Sequence, residues 1–376
     1  MTNEKKPPKQ IYDVGKTLPT PIRSYQPQKD ATKRLPQAAT ARPKKFFSWK
    51  KLLATCLLLV LAFFITVGVW DAVNFSRASQ KTFGSGNLFN LLSSSNLKGS
   101  DQGRINLLLV GYSVDDPGHP GAKLTDSIMI LSLSTSNHTG YMLSIPRDLY
   151  VKIPGFGYAK INEAYEDGGM SLLEQVVEAD FQVTLSYYAL VDYAAVHDTV
   201  NALGGITVNI QSSDPRGLYD PNISLADGGP LKLSNGIQTI NGQTALNLTR
   251  ARGDAVDSYG FPQADFDRTT HQRQVLVGIK DKLDWKLVLN PLKNGKIFSA
   301  VGKNVQTDIK LSELRSLFGL FNGVPNSSLQ SLSLRNLNGK NYLSSYTTDS
   351  GQSALVPTAG LADYSQIDAA ITGLNQ

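Results

Sequence analysis

Four arginines stand out in this sequence because each falls at the edge of a patterned segment. Arg147 follows Ser144-Ile145-Pro146, Arg250 and Arg252 are one residue apart in Thr249-Arg250-Ala251-Arg252, and Arg268 follows Asp265-Phe266-Asp267. Guanidinium groups stay charged and grip phosphate oxygens in pairs. Open α/β sheets place ligands at loops beyond strand ends. Several arginines in such loops therefore point to a local anion site. The plain alternative is an ion pair with a neighbour: Asp148 for Arg147, Asp254 for Arg252, Asp267 for Arg268. Arg268 has further support, because it opens a helical pattern whose first turn offers unpaired backbone N–H groups. Gln272 lies four residues on, one turn later on the same face, where it can hydrogen-bond an oxygen held by Arg268.

Carboxylates supply the complementary half. Asp126 sits between Thr125 and Ser127 at the start of a strand pattern, with Asp115 and Asp116 in the preceding loop. A hard cation such as Mg²⁺ takes one or two carboxylates plus phosphate oxygens and water. Asp126 with one loop aspartate meets that need; the alternative is a strand-capping aspartate beside a solvated turn. His119, His138, His197 and His271 are dispersed and Cys56 is the one cysteine, so no zinc set is present. Nucleophile-elbow, Walker and dinucleotide fingerprints are missing too.

The elements that must position these groups alternate in period. Residues 105–110 (INLLLV) form a continuous apolar run, the mark of a buried strand. Residues 127–133 and 141–145 read as two more strands around the polar turn 134–140. Helical spacing covers 171–177, after Gly168-Gly169, and 193–203, which stops at Gly204-Gly205. Residues 183–191 and 206–210 are strand-like. Residues 243–249 lead into an Arg-rich loop, and 269–283 carry helical spacing at Val275, Leu276, Ile279 and Leu283. Helices are also expected at 311–321 and 364–374. Interleaved strands and helices predict an α/β class, a sheet with helices on its faces.

Before this region the chain changes character. Residues 52–70 are 19 uncharged, mainly apolar residues between Trp49 and Trp70, long enough for one transmembrane helix. Residues 1–51 hold 13 basic and three acidic side chains, a balance of +10, and seven prolines. They are expected to form a disordered basic tail, cytoplasmic by the positive-inside rule and touching anionic lipid. The 306 residues after the span hold 24 basic and 28 acidic side chains, a balance of −4. The basic excess thus belongs to the tail, which argues for no nucleic acid as partner of the main, extracytoplasmic domain. The expected organisation is tail 1–51, span 52–70, flexible spacer 71–104, folded core 105–285, and a C-terminal extension 286–376 packing on that core.

Taken in order, INLLLVG (105–111), LTDSIMILSL (124–133), SIPRDLYVKIPG (144–155), KINEAY (160–165), VNALGGITV (200–208), NGQTALNLTRAR (241–252) and DFDRTTHQRQV (265–275) resemble the LytR-CpsA-Psr (LCP) family of bacterial cell-envelope enzymes. The resemblance implies an LCP-type α/β domain, a central mixed β-sheet flanked by helices, in a membrane-anchored phosphotransferase. It would move a glycopolymer from an undecaprenyl-pyrophosphate carrier to a peptidoglycan hydroxyl as a phosphodiester, using Mg²⁺ or Mn²⁺. A long apolar channel would take the prenyl tail, giving a use to Leu107, Leu109, Ile128 and Ile130, which otherwise read as core. By the same resemblance Asp126 matches a metal-binding aspartate. Arg147, Arg250, Arg252, Arg268 and Gln272 match the pyrophosphate-holding set. Three positions depart from the family pattern. Ser113 stands where many members carry aspartate, which leaves Asp115 or Asp116 as the second metal ligand. Leu124 and His271 stand where many carry arginine, and His271 restores charge only when protonated. These departures keep open two alternatives: a non-catalytic protein that binds lipid-linked precursors, and a polyprenyl-pyrophosphate hydrolase.

Overall fold

The apolar run at 105–110 becomes the centre of a sheet because both of its faces are covered. The computed structural model describes residues 95–112, 124–223, 228–262, 265–283 and 304–375, with isolated positions 73, 76, 77, 80, 297 and 300–302. The expected tail, the span 52–70, most of the spacer, Ser113, Asp115 and Asp116 lie outside these residues. Among the described residues no helix is long and apolar enough to cross a membrane.

The chain opens with β1 (Arg104–Tyr112), β2 (Thr125–Ser134) and β3 (Gly140–Ile145), then the hairpin β4 (Tyr150–Ile153) and β5 (Gly157–Lys160). Helix α1 (Ala164–Phe181), β6 (Tyr187–Asp192), α2 (Tyr193–Ala202) and β7 (Ile206–Ile210) follow. Short strands β8 (Leu218–Asp220), β9 (Leu231–Leu233) and β10 (Gly236–Ile240) lead to α3 (Gly242–Arg250) and α4 (Asp265–Lys282). The last part holds β11 (Val305–Thr307), α5 (Leu314–Gly323), β12 (Leu329–Ser333), β13 (Leu343–Thr347), β14 (Ser353–Pro357) and α6 (Ser365–Leu374).

The central sheet has the order β11-β6-β1-β2-β3-β12. Pairs β1/β6 and β3/β12 are parallel and the others antiparallel, so the sheet is mixed. Its two edge strands both come from the chain after residue 285. On one face, Leu108, Val110, Ile128 and Ile130 pack with Leu173, Val176 and Val177 of α1 and Ile367 and Ile371 of α6. On the other, Leu107, Leu109, Met129, Leu131 and Met142 face Leu276 and Val277 of α4 and Leu320 and Phe321 of α5.

The antiparallel register decides which side chains share a face: Leu107 pairs with Leu131 and Leu109 with Met129. Ile128 and Ile130 therefore point into the α1 side, at 1% and 0% exposure. They are core and do not face the α4 side with Leu109. Two local boundaries also differ from the sequence reading. Helix α1 begins ahead of Gly168-Gly169 and runs across that pair with a kink, Gly169 taking φ 69°. Residues 242–250, expected only to lead into a loop, form a helix capped by Asn241, whose side chain accepts from the Thr244 N–H. Gly242 opens that helix against α2, where a Cβ would lie 2.1 Å from the His197 carbonyl oxygen.

Candidate active site

Register builds the first half of the site. β2 and β3 pair Ile128 with Ile145, and continuing that register sets residue 126 opposite residue 147. The Arg147 Nη1 donates to Asp126 Oδ1 at 2.5 Å, while its Nε lies 3.9 Å from Asp148. Thus Arg147 pairs mainly across the sheet and not with its sequence neighbour. Burial pulls the Arg147 guanidinium down, but the bond and charge of Asp126 more than offset it, and its pKa stands above the ordinary value.

Strand β6 delivers the next group. Its carboxyl end passes directly into α2, and Tyr193 at that junction offers its hydroxyl to Asp126 Oδ2 at 3.4 Å. Burial, then the Asp126 charge, push the phenol well above its usual range, opposed by Arg250, Arg268 and Arg252. The Arg250 guanidinium stands 5.2 Å from the Tyr193 ring centre.

The Arg-x-Arg segment is held by a residue the sequence did not mark. Asp220, at the end of β8, is 2% exposed. Its Oδ2 accepts the backbone N–H groups of Arg252 and Gly253 at 2.8 and 2.9 Å, and its Oδ1 accepts that of Asn222 at 3.0 Å. Asp254 accepts from the Asn222 side chain at 2.5 Å. Helix α4 supplies Arg268, which is 7% exposed, and Gln272. Gln272 donates to the Thr249 carbonyl at 3.3 Å and accepts from the Ser127 hydroxyl at 3.5 Å. His271 departs from its expected standby role. It is 7% exposed, sits edge-on to Phe261 at 5.4 Å, and burial lowers its pKa to about 4. It stays neutral at physiological pH and does not restore a lost guanidinium.

Asp126, Arg147, Arg250, Arg252, Arg268 and Gln272 all line one polar pocket of about 240 Å³, joined there by Tyr193, Asp220 and Asp254. Four guanidiniums face three carboxylates, a formal balance of +1. Asp220 spends both oxygens on backbone donors, so it holds the loop and offers no free oxygen to a ligand. Next to this pocket lies an apolar cavity of about 240 Å³, lined by Leu109, Met129, Met142, Val275, Leu276 and Ile279. Ser127, Tyr193, Thr249 and Gln272 line both spaces. Of the four apolar positions expected in a channel, Leu109 lines this cavity, Leu107 packs beside it, and Ile128 and Ile130 face the other core.

The fit to a divalent cation rests on Asp126. Among the described residues its Oδ2 has only the long 3.4 Å contact with Tyr193, leaving capacity for a hard cation. No group of three or more His, Cys, Asp or Glu side chains able to hold a metal occurs among the described residues. One carboxylate plus ligand phosphate oxygens and water remains an adequate donor set for Mg²⁺. Sequence patterns for Tyr193 and Asp220 were weak: Tyr193 has only its place after a strand, and Asp220 lies in a Pro- and Gly-rich stretch with no period.

A mixed sheet that sets an arginine pocket beside an apolar cavity, with four lining residues shared, defines an α/β protein with a candidate anion site next to an apolar space. The chain belongs to the LytR_cpsA_psr family, whose model matches residues 69–357, beyond 105–285 at both ends. It is 28% identical over 276 residues to a polyisoprenyl-teichoic acid–peptidoglycan teichoic acid transferase, TagU, of Enterococcus faecalis, covering 71% of this chain and 82% of TagU. It is 30% identical over 185 residues to the regulatory protein MsrR of Staphylococcus aureus, about half of each chain. The fold matches that of Bacillus subtilis YwtF (TagT) with bound octaprenyl pyrophosphate lipid at a TM-score of 0.52 and 22% identity, covering 73% of this chain and 91% of that one.

Proposed function

We propose that this protein is a membrane-anchored phosphotransferase that moves a glycopolymer from an undecaprenyl-pyrophosphate carrier to a peptidoglycan hydroxyl. The observation that carries the reading is the sharing of Ser127, Tyr193, Thr249 and Gln272 between the arginine pocket and the apolar cavity. A prenyl pyrophosphate has the same division: a charged head joined to a long apolar tail. The relative named as a teichoic acid transferase supports the reaction class.

In this reading the acceptor hydroxyl oxygen attacks the glycan-side phosphorus. The bond from that phosphorus to the bridging oxygen breaks, and the bridging oxygen leaves with the lipid phosphate. One hydroxyl proton is transferred overall to that lipid phosphate, so atoms and charge balance. Arg147, Arg250, Arg252 and Arg268 hold the pyrophosphate oxygens and offset charge gathering on the bridging oxygen. Gln272, fixed by Thr249 and Ser127, orients the head. Mg²⁺ or Mn²⁺ held by Asp126, with Asp115 or Asp116, would neutralise further phosphate charge. The 52–70 span would keep the site at the outer membrane face, where the carrier lipid is concentrated.

The test is transfer of a labelled prenyl-pyrophosphate glycan to peptidoglycan fragments. Removing one charged donor from such a site costs about 10²- to 10³-fold in rate, so Arg147→Ala should fall by that order, and Asp126→Ala, which frees Arg147 and removes the metal-holding carboxylate, should fall as well. Wild-type-like transfer by both variants would sink the residue assignment. Free glycan phosphate without a wall conjugate would mean hydrolysis. A second reading, binding without turnover, is favoured by Leu124 and by the neutral, buried His271, which thin the cationic set. Tight prenyl-pyrophosphate binding with no product of either kind would select it.

A further inference from the structure

Arg147 lines a second cavity besides the arginine pocket. This one has a volume of about 360 Å³ and is bounded by Asp148, Lys160, Asn162, Glu163 and Glu166. Its charge is opposite in sign. Three carboxylates face Arg147 and Lys160, a formal balance of −1, against +1 in the arginine pocket. A pyrophosphate is repelled here and drawn to the other side of Arg147. The lining instead alternates donors and acceptors, with Lys160 Nζ bound to Asp148 Oδ1 at 3.2 Å. That mixture suits a neutral polyhydroxylated ligand.

Asn162 adds an independent observation. It is 6% exposed, and its Oδ1 accepts no hydrogen bond among the described residues. Its backbone is fixed, the N–H donating to the Arg147 carbonyl at 3.3 Å and the carbonyl accepting from the Thr125 hydroxyl at 3.5 Å. With no open surface in the free protein, that oxygen meets a ligand hydroxyl or amide N–H only where the wall shifts on binding, a shift that the cost of a buried carbonyl without a donor favours.

The surface beside the cavity is aromatic. β4 and β5 pair Tyr150 with Lys160 and Lys152 with Tyr158, so these four side chains share one face of the hairpin. Val151 and Ile153 fill the other face, at 0% and 1% exposure. Tyr158 stacks on Tyr150 at 5.9 Å and 25°, and Tyr346 of β13 meets Tyr150 at 5.5 Å and 31°. Tyr158 is 43% exposed, and Phe156 in the hairpin turn 57%. Backbone bonds tie this platform to the cavity wall: the Leu355 N–H of β14 donates to the Asp148 carbonyl at 2.9 Å, and Gln352, just before β14, lines the cavity. Flat aromatic faces carry negative charge that attracts the C–H face of a pyranose ring. A polar cavity whose Lys160 also lies on the tyrosine-bearing face of the hairpin is therefore suited to a sugar chain.

We propose that this cavity and the Tyr150–Tyr158–Tyr346 face bind the neutral glycan that receives the transferred group, bringing a sugar hydroxyl to Arg147 from the side opposite the carrier lipid. The assignment rests on the phosphotransferase reading for its role, and on the cavity and the tyrosine face for its ligand. Donor and acceptor then meet across one arginine.

The full chain in lipid nanodiscs is titrated calorimetrically with chitotetraose, a neutral N-acetylglucosamine chain, and separately with octaprenyl pyrophosphate. Tyr158→Ala and Glu166→Gln should each weaken chitotetraose about three- to tenfold, the range of one lost aromatic or polar contact, and leave octaprenyl pyrophosphate within about twofold. Ile237→Ala, an exposed apolar control, should change neither. In the transfer assay the same two variants should raise the acceptor KM and spare the donor KM. No chitotetraose binding by wild type, equal binding by both variants, or competition between the two ligands for one site would overturn the assignment. Transfer with unchanged acceptor KM in both variants would overturn the subsite and leave the phosphotransferase standing. Chitotetraose binding lost in the variants, with no transfer by wild type, would support a glycan site and remove the phosphotransferase.

Discussion

Asp220→Asn tests whether the Arg-x-Arg segment is held in place by one buried carboxylate. The side chain is 2% exposed and accepts three backbone N–H groups, from Asn222, Arg252 and Gly253, at 2.8 to 3.0 Å. Asparagine keeps the shape but has one accepting oxygen and one donating nitrogen. Placing its oxygen toward Arg252 and Gly253 turns two charge-assisted bonds into neutral ones, about 1 kcal/mol each. The nitrogen then faces the Asn222 N–H, donor against donor, and leaves a buried N–H unsatisfied for about 1–3 kcal/mol. The expected loss is about 3–5 kcal/mol of unfolding free energy. Urea unfolding followed by far-UV circular dichroism reads it at pH 7.5. Where the variant still folds, prenyl-pyrophosphate binding should weaken as well, because Arg252 loses its anchor. A stability change under about 0.5 kcal/mol, the level of an ordinary surface substitution, together with full ligand affinity, would refute the idea that Asp220 positions the loop.

Two further outcomes concern pH. His271 has a folded pKa of about 4 against 6.5 unfolded, so it contributes stability above pH 6.5 that is lost as pH falls toward 4. Going from pH 7.5 to 5 should cost about 2 kcal/mol through this group, and His271→Phe, which can pack on Phe261, should remove most of that slope in paired urea titrations. Glu174 runs the other way: burial first, then Asp308 and Glu178, raise it from 4.5 to about 7, with Lys98 opposing. Its stability contribution is full below pH 4.5 and is lost as pH rises through 7, so Glu174→Gln should raise the urea midpoint at pH 8 and not at pH 4.5.

The strands at 105–110, 127–133 and 141–145 were legible because continuous apolar runs and one polar turn leave few other structures open to them. The arginines and Asp126 were legible because loops that carry chemistry keep distinctive residue types beside patterned segments. What local pattern could not reveal was set by register and by distant partners. Ile128 and Met129 look alike as apolar residues, and only pairing with β1 sends one to the α1 core and the other to the cavity. Arg147 has an adjacent Asp148, yet its shorter bond crosses the sheet to Asp126. Asp220 acts from 32 residues away in sequence on Arg252, a spacing no motif marks. The helix at 242–250 was hidden by Gly242 and Asn241, residues that weaken a helical reading yet here provide a close approach and a cap.

The most direct measurement is a crystal structure of the protein with a prenyl pyrophosphate and Mg²⁺. The account predicts the pyrophosphate among Arg147, Arg250, Arg252 and Arg268, with Gln272 at its oxygens and the metal on Asp126. It predicts the prenyl tail between Leu109, Met129 and Leu276, passing Tyr193 and Thr249 on the way. A head group bound in the Asp148–Glu163–Glu166 cavity, or a tail lying outside the space between the sheet and α4, would contradict it.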